Sequence, residues 1–141
     1  MRSWLALKLV SRNMAQMRAG NIAPTLKLDT DDVRFRFPGV NSWAGDFTGK
    51  VALEDWYGRF VRVGLRPYAD EAVVKGWPWK MTIAVRGHID LPGPEGSSVY
   101  DNRFVIWGCL RWGRMADYEV YEDTQKSAAL DVYLEEHEPA A

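Results

Sequence analysis

The stretch GRMADYEVYEDT, residues 113–124, decides the fold of this chain. It follows a long apolar run over 104–112, and the pair Gly113-Arg114 predicts a two-residue turn between two strands. Residues 115–123 alternate in character, which is typical of a half-buried strand. Asp123-Thr124 predicts the cap of a closing helix over 125–136. The stretch therefore predicts an antiparallel hairpin that is followed by a C-terminal helix.

The sequence before this hairpin predicts two longer helices and more strands. Apolar residues recur every three or four positions over 3–19 and again over 49–63, where Thr48 is the expected N-cap and Gly64 the expected end. We expect Trp77-Pro78-Trp79 to form a kink or turn whose rings pack into the core or, alternatively, form an aromatic rim over the cavity mouth. Strands are expected at 33–37, 72–75, 81–91, 99–112 and 115–123, with 40–47 as a loop. Helices set apart from consecutive antiparallel strands predict the α+β class.

Composition limits the protein to a few classes. A chain of 141 residues fits one domain, 1–141, with 47% hydrophobic residues for a core. The net charge of −1 argues against a nucleic-acid partner. No apolar run is long enough to span a bilayer, so we expect no membrane partner. The single Cys109 excludes an internal disulfide and favours a cytoplasmic location. With two His and one Cys, no metal-ligand spacing is present, and we expect no metal and no cofactor.

The predicted strand 99–112 is apolar on both faces. Phe104 and Ile106 lie on one face, and Val105 and Trp107 lie on the other. A strand of this kind is covered on both sides. We expect the helices and a pocket to cover one face, and a second copy of the chain to cover the other as a homodimer through the sheet.

Several short motifs, in this order and spacing, resemble the nuclear transport factor 2-like (ketosteroid isomerase-like) superfamily, specifically its SnoaL-like branch. They are Asp31-Asp32-Val33, Phe37-Pro38-Gly39, Gly45-Asp46-Phe47-Thr48-Gly49, Tyr100-Asp101-Asn102-Arg103 and Gly113-Arg114 with Tyr121-Glu122-Asp123-Thr124. The resemblance covers about residues 5–135. It implies a cone-shaped fold in which a strongly curved antiparallel or mixed sheet wraps around N-terminal helices and encloses a pocket. Members of the superfamily include isomerases, dehydratases, cyclases, epoxide hydrolases and non-catalytic binding domains, so the fold alone names no reaction.

The resemblance also implies which catalytic positions are altered. Steroid isomerases place their base where this chain has Phe37, and their second acid falls near Trp107. Epoxide hydrolases place an acid near Val120, as SnoaL-type cyclases also do. The Arg and Asp pair that epoxide hydrolases have on a middle strand corresponds to His88 and Asp90. Each of these three machineries therefore lacks a key group.

His88 and Asp90 are the best remaining catalytic candidates. Residues two apart on a strand point to one face, and the alignment directs that face inward. A carboxylate beside an imidazole orients it, so His88 is a candidate general acid or base and Asp90 its orienting partner. The alternative is that His88 is structural and that Asp90 begins the Leu91-Pro92 turn.

Other residues are candidates for binding a substrate. Arg103 is a candidate for holding a substrate oxygen or, alternatively, for a cross-strand ion pair with Glu119 or Asp117. Glu122 is either a buried acid with a raised pKa or an exposed carboxylate at a strand end. The remaining candidates for lining the pocket are Phe37, Trp56, Trp107, Tyr118 and Val120.

Two hypotheses of different classes follow. The first is a small-molecule pocket protein with cofactor-independent acid/base catalysis, of the isomerase, dehydratase, cyclase or epoxide hydrolase type, on an apolar organic substrate. The second is a non-catalytic ligand-binding or dimerisation module of the same fold, which the missing acids at Phe37 and Val120 favour. The sequence leaves open whether the protein is an enzyme.

Overall fold

The computed structural model describes residues 1–141 and contains four α-helices and six strands. The helices are α1 (Ser3–Arg18), α2 (Ala23–Leu28), α3 (Lys50–Val63) and α4 (Thr124–His137). The strands are β1 (Asp29–Phe37), β2 (Gly45–Thr48), β3 (Arg66–Trp77), β4 (Lys80–Pro92), β5 (Ser98–Arg111) and β6 (Arg114–Glu122). No helix has the length and the apolar character that crossing a membrane requires.

The six strands form one curved, unclosed sheet in the order β2-β1-β6-β5-β4-β3. All neighbouring strands are antiparallel except β1 and β6, which run parallel. Register shifts interrupt several pairs, for example between Ala69 and Glu71 on β3, and irregularities of this kind bend a sheet. The structure thus has the cone-shaped α+β fold that the resemblance implies.

The core lies between the concave face of the sheet and the helices. Strand β4 alternates strictly, so that Ile83, Val85 and Ile89 are buried while Arg86 faces solvent. Helix α1 contributes Met14 and Met17 to the same core, and its Arg18 donates a hydrogen bond of 2.6 Å to the Pro67 carbonyl on β3. This layering places α1 over β3 at one edge of the sheet and α3 over β1 and β2 at the other edge.

Three local predictions differ from the structure. Residues 40–47 are not wholly a loop, because β2 pairs with β1 from Gly45 onward. Strand β3 is much longer than 72–75 and begins at Arg66. Thr48 ends β2, and Gly49 takes the N-cap position of α3 with a φ of 91° that favours glycine. The end of α3 at Gly64 is as predicted, with the left-handed backbone of a C-cap.

The hairpin between β5 and β6 turns one residue earlier than predicted. Arg111 pairs with Arg114, so the two loop residues are Trp112 and Gly113, with φ values of 53° and 78°. Two positive φ angles are the signature of the tight hairpin turn that matches strand twist. Trp112 is therefore held at the tip of the hairpin, where its side chain is exposed.

The predicted turn at Trp77-Pro78-Trp79 forms the tip of the β3–β4 hairpin. Trp77 pairs with Lys80, and both Trp77 and Trp79 are exposed. The expectation that these rings pack into the core is therefore wrong, because the hairpin extends beyond the helices that cover the sheet.

Candidate functional site

A cavity of about 100 Å³ lies between α1, α3 and the concave face of the sheet. Of its 20 lining residues, 16 are hydrophobic, so the walls favour an apolar occupant. The apolar lining includes Met14 and Met17 of α1, Trp56 and Phe60 of α3, and Val85, Ile89, Phe104 and Ile106 of the sheet.

The few polar groups of this cavity include a carboxyl group, that of Asp29. Asp29 is the first residue of β1, directly after α2, and only 2% of it is exposed. Its carbonyl accepts a hydrogen bond of 2.8 Å from Arg114 Nη2, which fixes the backbone here. Its Oδ2 atom is buried and has no hydrogen-bond partner. An unpaired buried acceptor costs about 1–3 kcal/mol, so its presence is a candidate sign of function.

Burial raises the pKa of Asp29 to about 7, while the charges of Lys50 and Arg114 act in the opposite direction. The cause is that an apolar site solvates a carboxylate poorly and so favours the protonated acid. A carboxyl group with this pKa exchanges a proton readily at neutral pH. That property is what general acid and general base catalysis requires.

Two tyrosines form a pair beside this acid. The hydroxyl groups of Tyr57 on α3 and Tyr118 on β6 lie 2.6 Å apart. Burial raises the pKa of both hydroxyls, and the charge of Asp29 raises them further, so both stay protonated. One of the two hydroxyl protons forms the hydrogen bond between the hydroxyl groups. The other hydroxyl proton is free to be donated to an oxygen atom of a ligand.

Two more polar side chains lie on the helical side of the cavity. Asn13 of α1 is buried, and Thr25 of α2 has a buried hydroxyl without a hydrogen-bond partner. Together with Asp29 and the tyrosines, they form a polar group within an otherwise apolar wall, which we call the Asp29 corner. Such a corner can orient a ligand that has one or two oxygen atoms.

A second acid, which is half-buried, lies at the end of β6. Glu122 lines a smaller cavity that shares Phe37, Trp56, Phe60 and Ile89 with the first. Burial, together with the charge of Asp123, raises its pKa to about 7, although the Ser127 hydroxyl opposes the shift by donating to Oε1. Its other oxygen has no partner. Tyr100 and Asn102 continue a hydrogen-bonded cluster here, in which Asn102 Nδ2 lies 2.9 Å from the Tyr100 hydroxyl.

Comparison with known proteins identifies the architecture. No protein-family model matches the sequence, and no curated protein matches it. An NTF2-like protein of unknown function from Burkholderia pseudomallei superposes with a TM-score of 0.71 at 19% identity, covering 88% of this chain and 95% of that one. The chain has the NTF2-like fold.

Other proteins with the NTF2-like fold differ in their described roles. A protein from Jannaschia sp., provisionally assigned as a SnoaL-like polyketide cyclase, matches with a TM-score of 0.64 at 13% identity over 90% of this chain and 93% of that one. TerC, co-crystallised with polyporic acid, matches with a TM-score of 0.64 at 20% identity over 84% and 91% of the two chains. The expected resemblance to this superfamily is thus confirmed at the level of the fold.

Within this NTF2-like fold, four of the predicted pocket residues do line the main cavity. Phe37, Trp56, Tyr118 and Val120 are all among its walls. The alternation of β6 accounts for the last two, because Tyr118, Val120 and Glu122 share the concave face. Glu122 is half-buried and belongs to the neighbouring cavity rather than the main one.

The prediction that His88 and Asp90 point into the pocket is wrong. His88 stacks on Tyr68 with ring centroids 4.8 Å apart, and its Nδ1 lies 2.9 Å from Asp70 Oδ2. Asp90 accepts two hydrogen bonds, of 2.6 and 3.0 Å, from Arg66. The reason is the strand period, since Val85 and Ile89 occupy the inward positions of β4 and leave His88 and Asp90 on the convex face.

Arg103 and Trp107 also lie on the convex face. Both are exposed, and Arg103 stands beside His88 in the sheet register. The inward positions of β5 belong instead to Phe104 and Ile106. Neither Arg103 nor Trp107 lines the pocket, so the expectation that they bind a substrate there is wrong. The reason is again that alternate residues of a strand point to opposite faces.

Asp29 and Tyr57 were not predicted from the sequence. Asp29 is an even number of residues from the inward residues Val33, Phe35 and Phe37, so it lies on the same face of β1. This pattern was not used, because 22–30 was predicted to be a connector rather than part of a strand. Tyr57 stands directly beside Trp56 on the buried stripe of α3, but only the fold shows that it meets Tyr118.

Proposed function

We propose that this protein binds a small apolar organic molecule in the main cavity and transfers a proton with Asp29, without a cofactor. The observation that carries the proposal is a buried carboxyl group, unpartnered at Oδ2 and with a pKa of about 7, within an apolar cavity that also holds a protonated tyrosine pair. Perturbed acids in a concave apolar site are typical of catalytic sites.

The chemistry assigned to the Asp29 corner is proton transfer at carbon. The carboxylate form of Asp29 removes a proton from a carbon next to a carbonyl group, and the electron pair moves onto the carbonyl oxygen. The free hydroxyl of the Tyr57–Tyr118 pair donates a hydrogen bond to that oxygen as its charge develops. Return of the proton to another carbon completes an isomerisation, and loss of a β-hydroxyl as water completes a dehydration.

The comparisons support this class of reaction without selecting one member. An isomerase, a dehydratase and a cyclase require a proton to move at a site shielded from bulk water, whereas an epoxide hydrolase also admits the water molecule that opens the ring. The assigned SnoaL-like cyclase and the TerC complex with polyporic acid support an organic ligand in a cavity of this fold. The proposed mechanism uses Asp29, Tyr57 and Tyr118 and does not use His88 or Asp90.

The test uses 5-nitrobenzisoxazole, a small aromatic compound that opens when a buried base removes its carbon-bound proton. We expect turnover that rises with pH and levels off above about pH 7, the pKa of Asp29. We expect Asp29→Asn to lose this turnover, and carbon-13 NMR to show the Asp29 carboxyl titrating near neutrality. Equal turnover in the wild type and Asp29→Asn would remove Asp29 from the mechanism.

A non-catalytic binding role is the second candidate. It is favoured by the predominance of hydrophobic residues, 16 of 20, in the cavity wall. In that case apolar ligands raise the melting temperature of the wild type and of Asp29→Asn equally, and neither protein turns over a carbon acid. The two measurements together separate binding from catalysis.

We also propose a homodimer through the convex face of the sheet. Val105, Trp107 and Tyr121 are exposed on neighbouring strands β5 and β6. Beside them Arg36 bridges Asp117 and Glu119, at 2.9 and 3.1 Å, so the apolar patch has a polar rim. Analytical ultracentrifugation tests this proposal: we expect a dimer for the wild type and a monomer for Trp107→Glu.

A further inference from the structure

We propose that one end of the cone is a docking surface for anionic lipid membranes. This surface, which we call the tryptophan end, consists of the β3–β4 tip, the β5–β6 tip and the first turn of α1. Its exposed aromatic residues are Trp4, Trp77, Trp79 and Trp112, and its cationic residues are Arg2, Lys75, Lys80, Arg111 and Arg114.

Direct contacts hold these three segments together. The Trp112 backbone amide donates a hydrogen bond of 2.8 Å to the Pro78 carbonyl, which joins the two hairpin tips. Ser3 Oγ accepts a hydrogen bond of 3.1 Å from the Val74 amide, which places the start of α1 beside β3. The tryptophan end is therefore one surface, although its parts are distant in the sequence.

The tryptophan rings are largely exposed to solvent and lie together rather than singly on the surface. Trp77 is 67% exposed, Trp79 54% and Trp112 72%. The rings of Trp77 and Trp79 are stacked, with their centroids 5.6 Å apart. Tryptophan is enriched where an apolar core meets water at a membrane interface, because the ring is apolar and its N–H is polar. Rigid hairpin tips also lose little conformational entropy when they insert.

Charge separation selects an anionic surface as the partner. None of the 19 Asp and Glu residues lies in 1–28, 72–89 or 102–116, which contain the three segments of the tryptophan end. The exposed acids nearest to it in the sheet register are Asp31 and Asp32 at the start of β1, where Asp29 pairs with Met115, and Lys50 lies 3.5 Å from Asp31. The opposite end of β5 lies against α4, which carries Asp131, Glu135 and Glu136. Although the net charge is only −1, the charges are separated into a cationic aromatic end and an acidic opposite end.

A lipid surface fits this end better than single-stranded nucleic acid does. Nucleic-acid sites of that kind use a basic groove and free ring faces on which bases stack. Here the rings stand on convex hairpin tips, and Trp77 and Trp79 cover one face of each other. The sequence predicts no membrane partner on the ground that no segment spans a bilayer, but surface docking needs no spanning segment.

The test measures co-sedimentation of the whole protein with vesicles of phosphatidylcholine alone and of phosphatidylcholine mixed with phosphatidylserine. We expect binding to the mixed vesicles that falls as salt is added, since surface charge is screened. Lys80→Glu should weaken binding about tenfold or more, because each cation near such a surface contributes about a fivefold factor and the substitution changes the charge by two units. The matched control, Lys126→Glu, makes the same charge change at the acidic end and should bind better than Lys80→Glu.

The aromatic part is tested with Trp77→Ala/Trp79→Ala against Val132→Ala, which removes an exposed apolar side chain from α4. We expect the double variant alone to lose at least tenfold in vesicle binding, with circular dichroism unchanged in all variants. The proposal is overturned if the wild type does not bind the mixed vesicles or if Val132→Ala loses as much as the double variant. It is also overturned if a single-stranded oligonucleotide binds more tightly than the vesicles.

Discussion

Asp29, which is buried, and Glu122, which is half-buried, have similarly raised pKa values of about 7 but different surroundings. Each acid has one oxygen without a hydrogen-bond partner, Asp29 Oδ2 in the larger cavity and Glu122 Oε2 in the smaller one. Glu122 Oε1, however, accepts a hydrogen bond from Ser127 of α4, next to the cluster of Tyr100 and Asn102. The difference shows that a raised pKa alone does not identify a reacting group, since Glu122 is hydrogen-bonded to the scaffold and Asp29 lines the larger cavity.

This contrast assigns a role to each acid. Glu122 and Ser127 join the end of β6 to α4, so their main effect is expected on stability. Asp29 is free to meet a ligand, so its main effect is expected on chemistry. Replacing each acid separately distinguishes these roles.

Replacing Asp29 should have the largest effect on catalysis. We expect Asp29→Asn to lower turnover of 5-nitrobenzisoxazole by about 10²–10⁴-fold, the usual contribution of a general base. Glu122→Gln is the matched control and should retain turnover within about threefold, because Glu122 does not line the main cavity. If Glu122→Gln loses more than Asp29→Asn, the two roles are exchanged.

Removing a hydroxyl from the tyrosine pair should have the next effect. The opening of 5-nitrobenzisoxazole places negative charge on oxygen, so we expect Tyr57→Phe and Tyr118→Phe each to lower its turnover by roughly 10–10²-fold. In either variant the remaining hydroxyl loses the hydrogen bond from its partner that strengthens it as a donor. Kinetic measurement of both variants, with unchanged ligand affinity, checks this prediction.

The acids also make stability depend on pH. Because the folded pKa of Asp29 is raised above its unfolded value, the native state binds protons more tightly, and the free energy of unfolding falls as pH rises from about 4 to 7. At pH 8 we expect Asp29→Asn to be more stable than the wild type by on the order of 3 kcal/mol.

Urea unfolding at pH 4.5 and pH 8 measures this difference. Glu122→Gln should reduce the same slope in the same direction, because its folded pKa is also raised. If Asp29→Asn and Glu122→Gln both keep the wild-type dependence of stability on pH, neither acid has a raised pKa in the folded state.

The smallest effect is expected at His88. We expect His88→Ala to leave turnover within about twofold, since the ring lies on the convex face against Tyr68 and Asp70. The exposed contact between His88 Nδ1 and Asp70 should contribute less than about 1 kcal/mol to stability. A large loss of turnover in this variant would bring back the catalytic pair that the sequence suggests.

The sequence predicted the fold better than the site. Hydrophobic periodicity and turn chemistry placed α1, α3, the Gly64 cap and the β5–β6 hairpin within a few residues, because these features are local. The inward or outward direction of β4 was not local. A single residue of misalignment reverses every side chain of a strand, and this error put His88 and Asp90 in the pocket.

The Asp29 corner was beyond the reach of sequence patterns for another reason. Its members come from α1, α2, β1, α3 and β6, and only the curvature of the sheet brings them together. Tyr118 was predicted to face the cavity from the family resemblance, but its partner Tyr57 is 61 residues away in the chain. Long-range pairs of this kind have no periodic signal.

The distribution of tryptophan has a practical consequence for spectroscopy. Trp43 is buried and Trp56 is partly buried, whereas the other five of the seven indoles are exposed. Intrinsic emission from the folded protein will therefore be dominated by rings already in water, and unfolding will shift its maximum only slightly. Quenching by iodide will mainly report the accessible surface, and the emission of Trp43 and Trp56 will be left as the part that is protected.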